Sequence, residues 1–170
     1  VTAAEKLAEL FEQRGFAHAF GIIGAGNISI YDAIARRGFT EICPVHHEQA
    51  AAMAATYYWR TCGRLAPVLP TTGGGSANTL TGVIAAWMDS IPLLVVSGNE
   101  PSKYFRDGTR VVGVQGYDSA MIPWVKCGVR LGDAEDLGTT LDHAIRLATT
   151  GRPGPVWVDI PRDLQGKEVA

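Results

Sequence analysis

Cysteine is scarce in this chain, with three residues in 170, at Cys43, Cys62 and Cys127. An odd number at such separations excludes a disulfide framework, and no Cys/His spacing matches a zinc site. The expectation is three buried thiols in a reducing cytoplasm and no metal-ligand set. Long uncharged apolar runs and a signal-peptide pattern are also missing, which leaves nothing to span or cross a bilayer. Charge of either sign is not in excess: 15 basic and 17 acidic residues give a net charge of −2. That balance provides no electrostatic footprint for nucleic acid or an anionic membrane. Internal repeats and low-complexity segments are absent as well. What remains is one domain of ordinary size, long enough to bury roughly 70 % of its unfolded surface. The chain opens on Val1 in place of methionine, which suggests a processed start or an excised segment.

Present instead is a regular alternation of helical and strand-like segments. Thr2 to Arg14 carries Ala3, Leu7, Leu10 and Phe11 at helical spacing and stops at Gly15. Further helices are expected over Ile28 to Arg37, Glu48 to Cys62, Ala77 to Met88 and Ala134 to Thr149. Apolar strands are expected at Ala17 to Ile23, Thr40 to Val45, Leu65 to Leu69, Leu93 to Ser97, Val125 to Leu131 and Val156 to Ile160. Strands apolar on both faces and separated by single helices call for a parallel sheet covered on both sides. Right-handed crossovers make this an α/β fold, doubly wound around a mainly parallel six-stranded sheet. Asn99 to Tyr117 is the exception, polar and too long for a simple connection, a length typical of functional loops.

Three turns at strand ends carry the chemistry. In His46-His47-Glu48-Gln49-Ala50-Ala51, a carboxylate follows an apolar strand and opens an alanine-rich helix. Taken alone, Glu48 suits a first-turn acid that complements the helix macrodipole. At the end of a parallel strand it also lies where ligands bind, and apolar surroundings favour the protonated form of a carboxyl. His46 and His47 are adjacent and cannot share one pocket from regular structure, so a turn histidine satisfied by backbone is the plainer reading. Gly21-Ile22-Ile23-Gly24-Ala25-Gly26 invites a dinucleotide site, but the third glycine of G-x-G-x-x-G would fall on Ser29. Thr71-Thr72-Gly73-Gly74-Gly75-Ser76-Ala77-Asn78 lacks the Lys-Ser/Thr pair of an ATP-type phosphate loop. Its glycines suit either a tight turn or a close approach of backbone to a ligand. All three turns would lie along one edge of the sheet, which favours a cofactor pocket.

In this setting the chain resembles the pyrimidine-binding, N-terminal domain of thiamine-diphosphate enzymes of the acetolactate synthase type. Four segments carry the resemblance in register: His47-Glu48-Gln49-Ala50-Ala51, Thr72-Gly73-Gly74-Gly75-Ser76-Ala77-Asn78, Trp87-Met88-Asp89-Ser90-Ile91-Pro92, and Thr150-Gly151-Arg152-Pro153-Gly154-Pro155-Val156-Trp157-Val158-Asp159-Ile160-Pro161. The resemblance implies a domain over residues 1–165, with 166–170 as the start of a linker. It implies that Glu48 hydrogen-bonds N1′ of the cofactor's aminopyrimidine and so promotes loss of the thiazolium proton. Glu48 and Gln115 are then the catalytic residues, and Glu48, Gly24, Ala25, Thr72 and Asn78 the cofactor-binding ones, with no metal ligand in this chain. Gln115 stands where the family has Phe-Gln-Glu, but its neighbours are Val114 and Gly116, which would open the acceptor pocket. Ala25 replaces the second of a glycine pair, and Ile23 stands where proline is frequent. Lys126 matches a lysine at a subunit contact, and equally suits a solvated charge at a strand start. Tyr57, Tyr58 and Trp59 suit packing on a neighbouring subunit or helix.

The resemblance also implies what lies elsewhere. The Gly-Asp-Gly motif and downstream Asn that hold the diphosphate and Mg2+ do not occur here, nor does the middle domain that carries FAD in acetolactate synthases. The expectation is half of a cytoplasmic active site, from an excised domain or a split enzyme. It would work as a homodimer or homotetramer on a 2-oxo acid such as pyruvate, with a diphosphate-binding domain of the same or a partner chain. Two alternatives stand beside carboligation: a 2-oxo acid decarboxylase that releases aldehyde, and a nucleotide-binding oxidoreductase domain on a similar sheet.

Overall fold

A computed structural model describes residues 1–104 and 122–170. In chain order these form α1 (Ala3–Gln13), β1 (His18–Gly21), α2 (Ile28–Arg37), β2 (Glu41–Pro44), α3 (Glu48–Cys62), β3 (Val68–Leu69), α4 (Gly74–Ala77) and α5 (Leu80–Met88). They continue with β4 (Leu93–Asn99), β5 (Cys127–Arg130), α6 (Leu137–Thr149), β6 (Pro155–Pro161) and α7 (Arg162–Gln165). All strand pairs are parallel, in the order β2-β1-β3-β4-β6-β5. This is the expected doubly wound α/β sheet of six strands.

The two layers of core follow from the two-residue period of a strand. Leu94, Val96, Val156, Val158 and Ile160 point to one face and join Leu7, Phe11, Ile30, Ile34, Leu137 and Leu141 of α1, α2 and α6. Leu93, Val95 and Trp157 point to the other and join Ala51, Ala52, Ala55, Val83 and Ala86 of α3 and α5. The alanines let α3 and α5 pack closely: a Cβ added at Gly82 would collide with Ala52. Every residue of β4 and β6 is buried, which is why both read as continuous apolar runs.

Helix ends follow their sequence signals. Thr2 caps α1 in a capping box, its hydroxyl accepting from the Glu5 N–H and the Glu5 carboxylate accepting from the Thr2 N–H. α2 and α3 end at Gly38 and Gly63, whose φ of 71° and 67° is the left-handed conformation that favours glycine. Three expectations need correction. β3 has two residues instead of five, because Pro67 and Pro70 on either side have no N–H to give a ladder. The expected helix from Ala77 starts at Gly74 and breaks at Asn78 and Thr79, where the Thr79 N–H and hydroxyl both turn back to the Ser76 carbonyl. Residues 134–136 form a separate 3₁₀ turn before α6.

The thiols are not all buried either. Cys43 and Cys127 lie on β2 and β5, the two edges of the sheet, and are half-covered; Cys62 is exposed at the end of α3. All three are free. Burial and the Glu41 carboxylate push the Cys43 thiol pKa up. At the chain ends, Val1 to Ala3 pair with Lys167 to Val169 through Ala3 N–H to Lys167 O and Val169 N–H to Val1 O, both 2.8 Å. No helix among the described residues is long and apolar enough to cross a membrane.

Lys126 has a local role. Its ammonium donates to the Leu147 carbonyl and, at 2.6 Å, to the Thr150 carbonyl, the unpaired acceptors at the C-terminus of α6. Its stem lies against Gly154. Replacing Lys126 with Met keeps the stem and removes the cation. We expect a loss of about 1–2 kcal/mol in urea unfolding, the usual worth of a charge-assisted cap.

Candidate active site

The chain leaves β1 for β2 on one side and returns to β3 on the other, so a crevice opens at the C-terminal ends of β1 and β3. The floor of this crevice is tied together by Asn27, which is fully buried. Its Oδ1 accepts the Gly24 N–H at 2.8 Å, and its Nδ2 donates to the Ile22 and Leu69 carbonyls, both at 3.1 Å. One side chain thereby satisfies the ends of two strands and the turn between β1 and α2. The Tyr31 hydroxyl adds a second donor to the Leu69 carbonyl, at 3.1 Å. Burial, and then the nearby Glu48 carboxylate, push the Tyr31 phenol well above its usual range.

The turn after β1 packs directly on the turn after β3. A Cβ at Gly24 would fall 2.7 Å from Thr71 Cβ, and one at Gly26 would strike the Thr72 methyl. The Gly26 N–H donates to Thr71 Oγ1 at 3.2 Å. These two glycines are therefore required by contact between turns of the chain itself. From the far side, a Cβ at Gly98 of β4 would run into the Gly26 carbonyl and come within 2.8 Å of Asn27 N. Gln165 of α7 reaches the same carbonyl with Nε2 at 2.7 Å.

Glu48 opens α3 at the end of β2, and its side chain is turned inward, 7 % exposed. The helix is capped by His47, whose Nδ1 accepts the Gln49 N–H at 3.2 Å, the backbone-satisfied turn histidine of the simpler expectation. With the cap made by its neighbour, Glu48 is left to face the turn after β3. Its Oε2 accepts from Asn78 Nδ2 at 3.0 Å. Its Oε1 lies against Gly75, where an added Cβ would sit 2.9 Å from it and 2.7 Å from the Thr71 methyl.

The structure thus brings Glu48, Asn78 and the turns containing Gly24 and Thr72 to one edge. Ala25 is exposed on the rim, and Gln115 lies outside the described residues. Asn27, Thr71 and Gly75 escaped the sequence reading. Gly75 was one of three consecutive glycines with nothing local to single it out, and Asn27 signals only as a helix N-cap type of residue. Of the aromatics on α3, Tyr58 packs within the chain against His18 and Phe20, with its hydroxyl 3.1 Å from His18 Nδ1. Trp59 packs against the α3–α5 core, and only Tyr57 stands out, 65 % exposed.

Two comparisons bear on this edge. Residues 1–120 match the family model described as thiamine pyrophosphate enzyme, N-terminal TPP binding domain. Among curated proteins, the chain is 38 % identical over 164 residues to the acetolactate synthase large subunit of Haemophilus influenzae, covering 96 % of this chain and 28 % of that protein. It is 37 % identical over 172 residues to the acetolactate synthase large subunit of Buchnera aphidicola, covering 98 % and 29 %. It is 34 % identical over 165 residues to acetolactate synthase isozyme 1 large subunit of Escherichia coli, covering 96 % and 29 %. The chain therefore spans less than a third of the length of the curated relatives it matches. A buried carboxyl at the switch-point edge of a parallel sheet and a family match over the same residues agree: the chain belongs to the N-terminal TPP binding domains of thiamine pyrophosphate enzymes.

Proposed function

We propose that this chain is the pyrimidine-binding half of an active site for 2-oxo acid decarboxylation and carboligation, of the acetolactate synthase type. The observation that carries the reading is the Glu48 carboxyl, buried beside the switch point with one oxygen held by Asn78. Oε1 makes no hydrogen bond to any described residue and is the atom left to meet a ring nitrogen. The bare backbone at Gly75 fits a flat heteroaromatic ring, since a side chain there would cover that oxygen. When bound, thiamine pyrophosphate would supply an acidic thiazolium carbon and an electron sink for the pair left by carbon dioxide. The work of this chain is to hold the aminopyrimidine and to present Glu48 to N1′. Gln115 would orient substrate from the long loop.

Among the described residues no group of three or more His, Cys, Asp or Glu is placed to hold a metal. In this reading the diphosphate and Mg2+ are bound by a further domain, with FAD in a middle one, and the working unit is a cytoplasmic homodimer or homotetramer. Met53, Tyr57 and Met88, exposed on the outer face of α3 and α5, support a partner on that side.

Incubating the full-length protein with pyruvate, thiamine pyrophosphate and magnesium, with and without an added ketone or aldehyde, tests the proposal. Carbon dioxide should be released together with a ligated hydroxyketone. Acetaldehyde as sole product would replace carboligation with simple decarboxylation. Unconsumed pyruvate would remove both.

A further inference from the structure

We propose that Asn78 is a positioning residue that decides which oxygen of Glu48 carries the proton, an inference that rests on the role of Glu48 proposed above. In a protonated carboxyl one oxygen carries the donor proton, and the carbonyl oxygen is the better acceptor. Asn78 Nδ2 donates to Oε2 at 3.0 Å, a bond that is stronger with Oε2 as the carbonyl oxygen than as the hydroxyl. The proton then rests on Oε1, the oxygen beside the bare backbone of Gly75. The donor is an uncharged amide, so it orients the carboxyl without placing a cation beside it.

The local fold holds Asn78 in place for this contact. α4 is a single turn, and the chain breaks at Asn78 and Thr79 before α5 begins. The break is held by the Ser76 hydroxyl on the Thr71 carbonyl and by the Thr79 hydroxyl on the Ser76 carbonyl, 2.6 Å. Asn78 itself closes α4 in helical conformation, φ −62° and ψ −20°, with its N–H on the Gly74 carbonyl at 3.0 Å, which fixes where its side chain starts. The Thr72–Asn78 turn thus serves Glu48.

The test uses the full-length protein with Asn78→Ala, Asn78→Asp and, as control, Glu48→Gln. Hydrogen–deuterium exchange at the thiazolium carbon of bound cofactor should slow about ten- to hundredfold in both Asn78 variants. The Kd for thiamine pyrophosphate with magnesium should change by less than about threefold, and kcat should fall while KM for the 2-oxo acid stays. A crystal structure of cofactor-free Asn78→Ala should show the Glu48 carboxyl in more than one rotamer. An ordered carboxyl in its original place with unchanged exchange would overturn the inference. So would slow exchange accompanied by a large loss of cofactor affinity, which would make Asn78 a direct ligand. Wild-type exchange in Glu48→Gln would instead remove the role of Glu48 itself.

Discussion

Replacing Glu48 with Gln in the full-length protein should reduce exchange of the thiazolium proton on the order of 10²- to 10⁴-fold, the usual worth of a positioned acid or base. The amide has the size and reach of the carboxyl, and its carbonyl oxygen still accepts from Asn78 Nδ2. What it lacks is a proton acidic enough to polarise a ring nitrogen. Cofactor affinity should fall by no more than about 1–1.5 kcal/mol, the net worth of one hydrogen bond. Thermal unfolding should hardly move, because the side chain keeps its burial and its partner. NMR of the cofactor's exchange, with calorimetry for binding, separates the two effects. Wild-type exchange in the variant would show that the buried acid plays no part in activating the cofactor.

Gly98→Ala should be the most damaging small substitution in the described structure. A Cβ at this position collides with the Gly26 carbonyl and lies 2.8 Å from Asn27 N, and both are backbone atoms. Neither can rotate away as a side chain would, so β4 and the turn after β1 must separate. That turn is held by Asn27 to Ile22 and Leu69, and by Gln165 to the Gly26 carbonyl. Overpacking of a close-packed site costs about 1–3 kcal/mol when side chains can yield, and a backbone clash should reach at least the upper end. For a chain of this length we expect the midpoint of thermal unfolding to fall by roughly 6–12 °C. The same shift would move the Thr71–Thr72 turn and, through Gly75, the Glu48 carboxyl. Calorimetric scanning of wild type and variant checks the first effect. A midpoint within about 2 °C of wild type would mean that β4 and the turn move apart freely.

Much of the fold was legible because its signals are local. β4 and β6 are buried on both faces, and such strands are apolar run by run whatever surrounds them. Gly38 and Gly63 act within one helical turn of their own position, and α2 and α3 end at Arg37 and Cys62 as expected. Prolines 67 and 70 were visible too, but their effect on β3 depends on neighbouring strands that would have paired with the missing N–H groups. Cysteine burial failed for a related reason. Cys43 and Cys127 are half-covered because β2 and β5 ended up at the edges, and strand order is not written in either strand.

The site divides in the same way. By itself the sequence determined that an acid opens α3 after an apolar strand, that a glycine-rich turn follows β3, and that a parallel sheet brings both to one edge. Only the tertiary structure decided what each of these does there. The contact between Glu48 and Asn78 joins residues 30 apart, and that between Gln165 and Gly26 joins residues 139 apart. Gly24, expected with Ala25 to approach a cofactor, also has Thr71 packed against it, as Gly26 has Thr72. Periodicity and capping record what a residue needs from its own helix or strand. Which atom of another turn lies within 3 Å depends on how whole elements pack, and that is settled only when the sheet closes over its two layers of core.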